Sequence, residues 1–485
     1  MPTYTDVLPH HRNLYYGGQW LKAGSGKTDT TINPATGESL GSWAVADATD
    51  VDAAVRKALE GFRVWRAVKP ADRAVILRQA AQVIRDHAEE IALIDSADSG
   101  GPYRRMIRDS EGGAAAFEFF AGLVTEMKGS TLPLGDDTLN YTMREPLGVV
   151  VRINAYNHPF LFAASRAAAP LAAGNALIIK PPDQAPLSTL RLAELIGPLF
   201  PPGVINVLTG GRECGEALVE HPLVAKVALI GSVPTGKAIA RAAAGTLKKV
   251  GLELGGKNAL IAYPDSDPAK VAAGAVNGMN FTWCGQSCGS TSRIFLHDNI
   301  HDEVVEGILK AVEAYRFGLP TDEATQMGCM ISAQQLSKTE HYVALALKEG
   351  ARLVAGGARP SDPIYSRGFF YPPTVFTDVT PDMTIAREEV FGPVMSILRW
   401  RDEDAMIEAV NRSELGLTAS IWTRNLATAH RAAARVEAGY IWINGSSTHT
   451  LGAPFGGYKQ SGLGREESLE ELLECTQLKN INVSL

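Results

Sequence analysis

The period of the apolar positions changes near residue 148, and the two halves of that pattern predict different kinds of structure. Upstream, after short strands and turns over Tyr15–Gly41 with turn chemistry at Ile32–Glu38, the spacing is helical. Val51, Ala54, Val55, Ala58, Leu59 and Phe62 fall on one helix face, and Thr49 with Asp52 reads as a capping-box-like start. A second, long helix is predicted near Asp72–Ile94, with Leu77, Ala80, Ile84, Ile91 and Ile94 among its inward positions. A third is predicted over about Glu111–Met127. From Gly148 onward, short apolar runs alternate with helical segments. Strands are predicted at Gly148–Ala155, Ala176–Lys180, Ile205–Gly210, Lys226–Ser232 and Lys248–Gly256. Helices are predicted between them at Phe160–Ala173, Leu187–Leu199, Gly215–Glu220 and Pro234–Ala244. A second series runs from about Lys257 to Phe455, with strand-like runs at Asn258–Tyr263, Arg293–His297, Thr374–Val379, Met395–Trp400, Thr418–Thr423 and Tyr440–Asn444. Helices such as Asp302–Ala314 and Asp402–Ser413 separate them. Strands alternating with helices of this length imply right-handed parallel βαβ units. The fold class is therefore α/β with two doubly wound domains, which bind ligands at the carboxyl ends of their strands.

Composition narrows the function. The 485 residues, 45% hydrophobic and 20% charged, suit a globular protein of several units rather than a fibrous or disordered chain. A formal net charge of −7 lacks the basic field that nucleic acid or an anionic membrane surface needs, so neither is expected as a partner. The most apolar stretch, Phe160–Ile179, is broken by Ser165, Arg166, Pro170, Gly174 and Asn175, and so is not a membrane span. Met1–Arg12 has no apolar signal core. Five cysteines, few and odd in number, favour a reducing, cytoplasmic setting over a disulfide framework.

Candidate chemistry is scattered. The strand-to-helix turn at Ala155–Pro159 lacks the usual dinucleotide glycine fingerprint. Gly231, Ser232, Pro234 and Gly236 instead form a strand-to-helix junction whose first-turn amides suit a pyrophosphate, although taken alone an ordinary glycine turn is the better reading. Asp183, just after a strand, is placed either to accept from ribose hydroxyls or to cap a helix. Cys288 lies in a loop of small residues, as a nucleophile would, while most free cysteines are small buried hydrophobes. Cys284 lies four residues before it, but no His or Cys set with zinc spacing accompanies the two, so no metal is expected. Glu253, at a strand end beside Gly255 and Gly256, is a candidate general base or a solvated acid.

In order along the chain, Asn157, Lys180, Gly231, Gly236, Glu253-Leu254-Gly255-Gly256-Lys257, Gln286-Ser287-Cys288, Glu388–Pro393 and Pro454–Gly462 resemble the aldehyde dehydrogenase superfamily. The resemblance runs from about Tyr15 to Glu466. It implies oxidation of an aldehyde to the acid with a nicotinamide cofactor, through a thioester on Cys288. Asn157 is implied as the oxyanion donor and Glu253 as the base that activates water. An acid at Glu253 implies hydrolysis rather than transfer to coenzyme A, which acylating members of the superfamily carry out. The same fold would also suit a semialdehyde-specific enzyme or an inactive binding protein. For the cofactor the resemblance implies Lys180, Asp183, Gly231, Ser232, Gly236, Glu389 and Phe391. Asp183 stands where many NAD-using relatives carry Glu; a carboxylate there repels a 2′-phosphate, so NAD is expected, and the shorter side chain leaves NADP open.

Departures from the family pattern shape the substrate side. Ser165 stands where acetaldehyde-using members carry Trp, and Ser287 and Gly289 flank the nucleophile. Phe162 and Phe455, with Phe117, Phe281 and Trp283, are candidate aromatic walls, so an aromatic or medium-length apolar aldehyde is expected. Arg166 and Arg293 coincide with basic positions common in the family and do not argue for a semialdehyde. His158 replaces a Phe and reads as support for the following helix start rather than as a base. The implied domains are 1–126 with 146–255 for NAD, 256–455 for catalysis, and 127–145 with 466–485 as a small β extension for oligomerisation. The tail, strand-like and an unpaired edge in a monomer, points to a homodimer or homotetramer.

Overall fold

The computed structural model describes residues 4–484. Five parallel strands form the heart of the first sheet, in the order Ile205–Val207, Ala176–Lys180, Val149–Ile153, Val224–Ile230, Lys249–Glu253. The antiparallel pair Leu14–Tyr16 and Gln19–Leu21 closes one edge, and Gly462–Leu463 the other. The chain leaves Val149–Ile153 toward one side of the sheet and later returns to its other side as Val224–Ile230. That reversal opens a crevice at the carboxyl ends of these two strands. The second sheet orders Thr374–Thr377, Val394–Trp400, Arg293–His297, Ala259–Ala262, Thr418–Trp422 and Tyr440–Ile443 in parallel, with Arg352–Ala355 antiparallel at the edge. Among the described residues no helix is long and apolar enough to cross a membrane.

The differences from the sequence pattern lie mostly in the helices. The first helix spans Ala48–Trp65 and is capped at Asp47, whose carboxylate accepts from the Thr49 and Asp50 amides, while Asp50 accepts from the Asp47 amide. The capping box thus lies two residues before the predicted one, and Asp52 is instead an exposed partner of Arg56. The predicted second helix is two, Pro70–Asp86 and Ala88–Ser99, interrupted at His87; the apolar stripe runs through both and so conceals the break. From Ile91 to Ser99 every side chain is buried, acids included. Asp95 Oδ2 accepts from the Phe160 amide (3.1 Å) and Asp98 Oδ2 from the Leu187 amide (2.8 Å). Each thereby caps the start of another helix. Burial pushes their carboxyls up to about 8 and about 7. The third helix spans Tyr103–Gly122, starting well before the predicted Glu111 because its polar first turns still direct Tyr103, Met106 and Asp109 inward.

The C-terminal strand Thr476–Ser484 is paired within the chain, antiparallel to Thr138–Pro146, which also pairs with Thr131–Pro133. It is therefore not the wholly unpaired edge expected of a single chain. The helix Leu469–Glu474 just before it, expected within the extension, packs Leu472 and Cys475 into the core of the first sheet.

Candidate active site

The loop carrying Cys288 joins the helix Pro268–Gly278 to the strand Arg293–His297, and the Asn258 side chain holds it at two points. Asn258, at the start of the strand Ala259–Ala262, donates to the carbonyls of Cys288 (2.7 Å) and Ser290 (3.0 Å) and accepts from the Thr418 amide (3.0 Å). The buried amide is thus satisfied while fixing the loop to the second sheet. Asn258 was not singled out in the sequence, because an Asn before a strand carries no catalytic signal. Asn280 donates to Ser287 Oγ (3.3 Å) from the other side.

Two cavities meet at this loop. Among the described residues, Asn157, Glu253 and Cys288 alone line both. Asn157 follows the strand Val149–Ile153, and Glu253 ends the strand Lys249–Glu253, so the first sheet supplies two of the three and the second sheet's loop the third. The Asn157 side chain is buried yet makes no hydrogen bond to a described residue, which leaves its amide free toward the cavities.

The first cavity, about 410 Å³, occupies the crevice where the first sheet reverses. Gly231, Ser232, Glu389 and Phe391, all singled out above, line it. Ser232 caps the helix Val233–Ala244. Glu389 Oε1 accepts from the Gly256 amide (3.0 Å), and burial pushes its carboxyl up against the pull of that amide and of Lys338. Gly255 lies so close to Glu389 that an added Cβ would stand 2.2 Å from Oε2. Phe391 has φ +54°, its carbonyl held by Gln335 Nε2 (2.7 Å). Lys180, Asp183 and Gly236 do not line this cavity. Lys180 Nζ pairs with Asp183 (2.9 Å) and donates to the Pro181 carbonyl. Gly236 is a packing glycine: a Cβ there would come within 2.7 Å of the Leu254 side chain, where helix meets sheet.

The second cavity, about 320 Å³, is lined by Phe162, Ser287, Phe455 and Trp283. Phe117 and Phe281, expected as walls, are instead fully buried in the core. Trp442, His449, Leu451, Arg108 and Asp109 also line the cavity and were missed, since no local pattern separates a wall residue from a core one. Neither Arg166 nor Arg293 is free. Arg166 pairs with Glu466 (2.9 Å) and Glu467 (3.0 Å), and Arg293 donates to the carbonyls of Lys257 (2.8 Å) and Val410 (3.2 Å). His158 precedes the helix Pro159–Ala172 but makes no capping bond with its ring; its Nδ1 lies 2.6 Å from Asp109 Oδ2. Cys284 lies in the core of the second sheet and lines neither cavity.

Cys288 and Glu253 face each other and shift each other's protons. Burial pushes the Cys288 thiol well up, and the Glu253 charge pushes it further. Burial raises Glu253 to about 8 against the pull of its contact with the thiol. One carboxylate oxygen, Oε1, has no hydrogen-bond partner among the described residues. A buried, underused carboxylate beside a thiol is arranged to accept protons.

The aldehyde dehydrogenase family model matches residues 20–481. The chain is 50% identical over 492 positions to aldehyde dehydrogenase tropH of Talaromyces stipitatus, covering all of this chain and 95% of that protein. It is 42% identical to a betaine aldehyde dehydrogenase of Brucella melitensis, over 97% of both chains. A solved NAD+ complex of an aldehyde dehydrogenase from Bacillus cereus superimposes with a TM-score of 0.96 at 38% identity, over 100% of this chain and 99% of that one. By sequence across nearly its whole length, and by fold, this chain belongs to the aldehyde dehydrogenase family.

Proposed function

We propose that this chain oxidises an aromatic or medium-length apolar aldehyde to the carboxylic acid with NAD, through a thiohemiacetal and then a thioester on Cys288. The observation that carries the reading is that Cys288, Glu253 and Asn157 border both cavities, one suited to cofactor and one to substrate. The Cys288 thiol gives up its proton to solvent, and its sulfur attacks the aldehyde carbon. The Asn157 amide and the Cys288 backbone N–H donate to the resulting oxyanion; one such donor is typically worth about 10²–10³ in rate. Bound NAD supplies a hydride acceptor. Glu253 then takes a proton from the water that attacks the thioester, and the C–S bond breaks to release the acid and return the Cys288 sulfur. The residues of the first cavity fit the cofactor: the Glu389 carboxylate suits ribose hydroxyls, the helix start at Ser232 suits a pyrophosphate, and Phe391 would flank the nicotinamide. Lys180 and Asp183 serve the adenosine end, where the acid favours NAD over NADP.

The buried Glu253 carboxylate supports hydrolysis over coenzyme A acylation, and the engagement of Arg166 and Arg293 weighs against a semialdehyde. Retention of all three reacting groups weighs against an inactive binding protein. We also propose a homodimer or homotetramer built on the three-stranded sheet, whose Leu132, Leu139 and Leu478 are exposed.

The test is Glu253→Gln with benzaldehyde and NAD. A burst of about one NADH per subunit is expected, followed by turnover slowed roughly 10²–10⁴-fold, with the acyl mass on the Cys288 peptide. Because Glu253 works as a carboxylate and burial raises it to about 8, wild-type kcat should climb as pH rises toward that value, and the variant should lose this limb. An adduct on another peptide, or both steps slowed equally without a burst, would overturn the assignment.

A further inference from the structure

We propose that His158 recognises a hydroxyl on the substrate's ring, so that the site selects hydroxylated aromatic aldehydes. This rests on the reading of the substrate as an aromatic aldehyde and specifies it further.

His158 stands among the aromatic walls of the second cavity, with ring centroids 4.7 Å from Trp283 and 5.4 Å from Phe162. A polar ring in such a wall is costly unless its nitrogens are satisfied. One nitrogen is: Nδ1–H donates to Asp109 Oδ2 at 2.6 Å, and the Asp109 side chain is only 8% exposed. That bond fixes the ring's orientation and leaves Nε2 without a partner among the described residues, on a ring that lines the cavity. The helix start does not need the imidazole, because Asp95 caps it through the Phe160 amide. Asp109 reaches His158 from a different helix, Tyr103–Gly122, so the pair spans two elements that pack on each other around the cavity. With Nδ1–H given to Asp109, Nε2 carries the lone pair and accepts a hydrogen bond from a hydroxyl donor. An aromatic ring bound in this cavity, which Trp283 and Phe455 also line, would carry such a hydroxyl in its own plane. A carboxylated ring would instead be drawn to Arg108, an exposed cation on the Asp109 helix that lines the same cavity and has no ion-pair partner among the described residues.

The experiment compares kcat/KM for benzaldehyde, 3- and 4-hydroxybenzaldehyde, their methyl ethers and 4-carboxybenzaldehyde in wild type, His158→Phe and Asp109→Asn. In wild type, one hydroxy isomer should exceed both benzaldehyde and its own ether by about tenfold or more, because a site built to bond a hydroxyl rejects analogues that lack the donor. In His158→Phe the ratio should fall to within about twofold, and in Asp109→Asn it should fall part of the way. The proposal is overturned if the hydroxy isomers gain nothing over benzaldehyde and the ethers in wild type, if their advantage survives in His158→Phe, or if the carboxylated ring is preferred. Should His158→Phe fail to fold, the wild-type ratios and Asp109→Asn still decide. Oxidation of benzaldehyde without a hydroxyl preference sinks this inference alone. Oxidation of hexanal with none of the aromatic set sinks the aromatic reading and this inference with it.

Discussion

The two cavities that meet at Cys288 are made of different material. The one in the sheet crevice is shaped largely by backbone: the Gly256 amide on Glu389, the bare Gly255 against that carboxylate, a helix start at Ser232, and the Phe391 carbonyl held by Gln335. The other is walled by side chains from separate stretches, including Arg108–Asp109, Phe162, Trp283, Trp442 and Phe455. A backbone-made cradle tolerates few residues at each position and stays constant as long as the fold does. A wall of side chains can be exchanged residue by residue while the scaffold stays fixed, which is how one fold serves many substrates. The sharpest separation of the two is Cys288→Ala. Oxidation should fall at least about 10⁴-fold, while the equilibrium dissociation constant for NAD, read by ligand fluorescence, should change by no more than about twofold. Loss of NAD binding in parallel would mean that the cavities are not independent; turnover near wild type would remove Cys288 as the nucleophile.

The same difference governs what could be read from the sequence. The strands Ala176–Lys180 and Arg293–His297 lie where the apolar runs put them, because short buried runs bounded by turn residues have little freedom of interpretation. In the sheet crevice, Gly231 and Ser232 could be marked from a local strand-to-helix turn, whereas Glu389 and Phe391 were marked by the family resemblance alone; all four line the first cavity. The break at His87 and the capping of two helices by Asp95 and Asp98 could not be, since both depend on which helices end up packed together. Likewise, Asp109 and His158 are separated by 49 positions in the sequence, and nothing along that stretch signals that their side chains meet. Phe117 and Phe281 went the other way: as aromatics they suited either wall or core, and tertiary packing put them in the core.

A smaller effect tests the backbone cradle directly. Gly255→Ala places a methyl group where Glu389 Oε2 now stands, 2.2 Å away, so the carboxylate must move off the Gly256 amide. Overpacking of this sort costs about 1–3 kcal/mol, which predicts a rise of roughly fivefold to 150-fold in KM for NAD. KM for benzaldehyde should stay within about twofold, because Gly255 lines only the first cavity. An equal rise in both constants would break the distinction between the two sides.

The smallest effect lies at the far end of the cofactor side, where the material is again a side chain. Asp183 lines neither cavity, and its side chain is 39% exposed and paired with Lys180. Solvent weakens what a half-exposed charge can do; such pairs contribute about 1 kcal/mol or less. The repulsion of a 2′-phosphate by Asp183 should therefore set a preference rather than a barrier. Asp183→Asn keeps the volume, removes the charge and releases the Lys180 ammonium for an anion. The ratio of kcat/KM for NADP to that for NAD should rise about threefold to fivefold, and the gain should shrink as salt is added. An unchanged ratio would show that Asp183 does not face the adenosine ribose. A change of a hundredfold would show that this end of the site is closed to water when the cofactor is bound, and so is built more like the crevice than like the open side-chain wall.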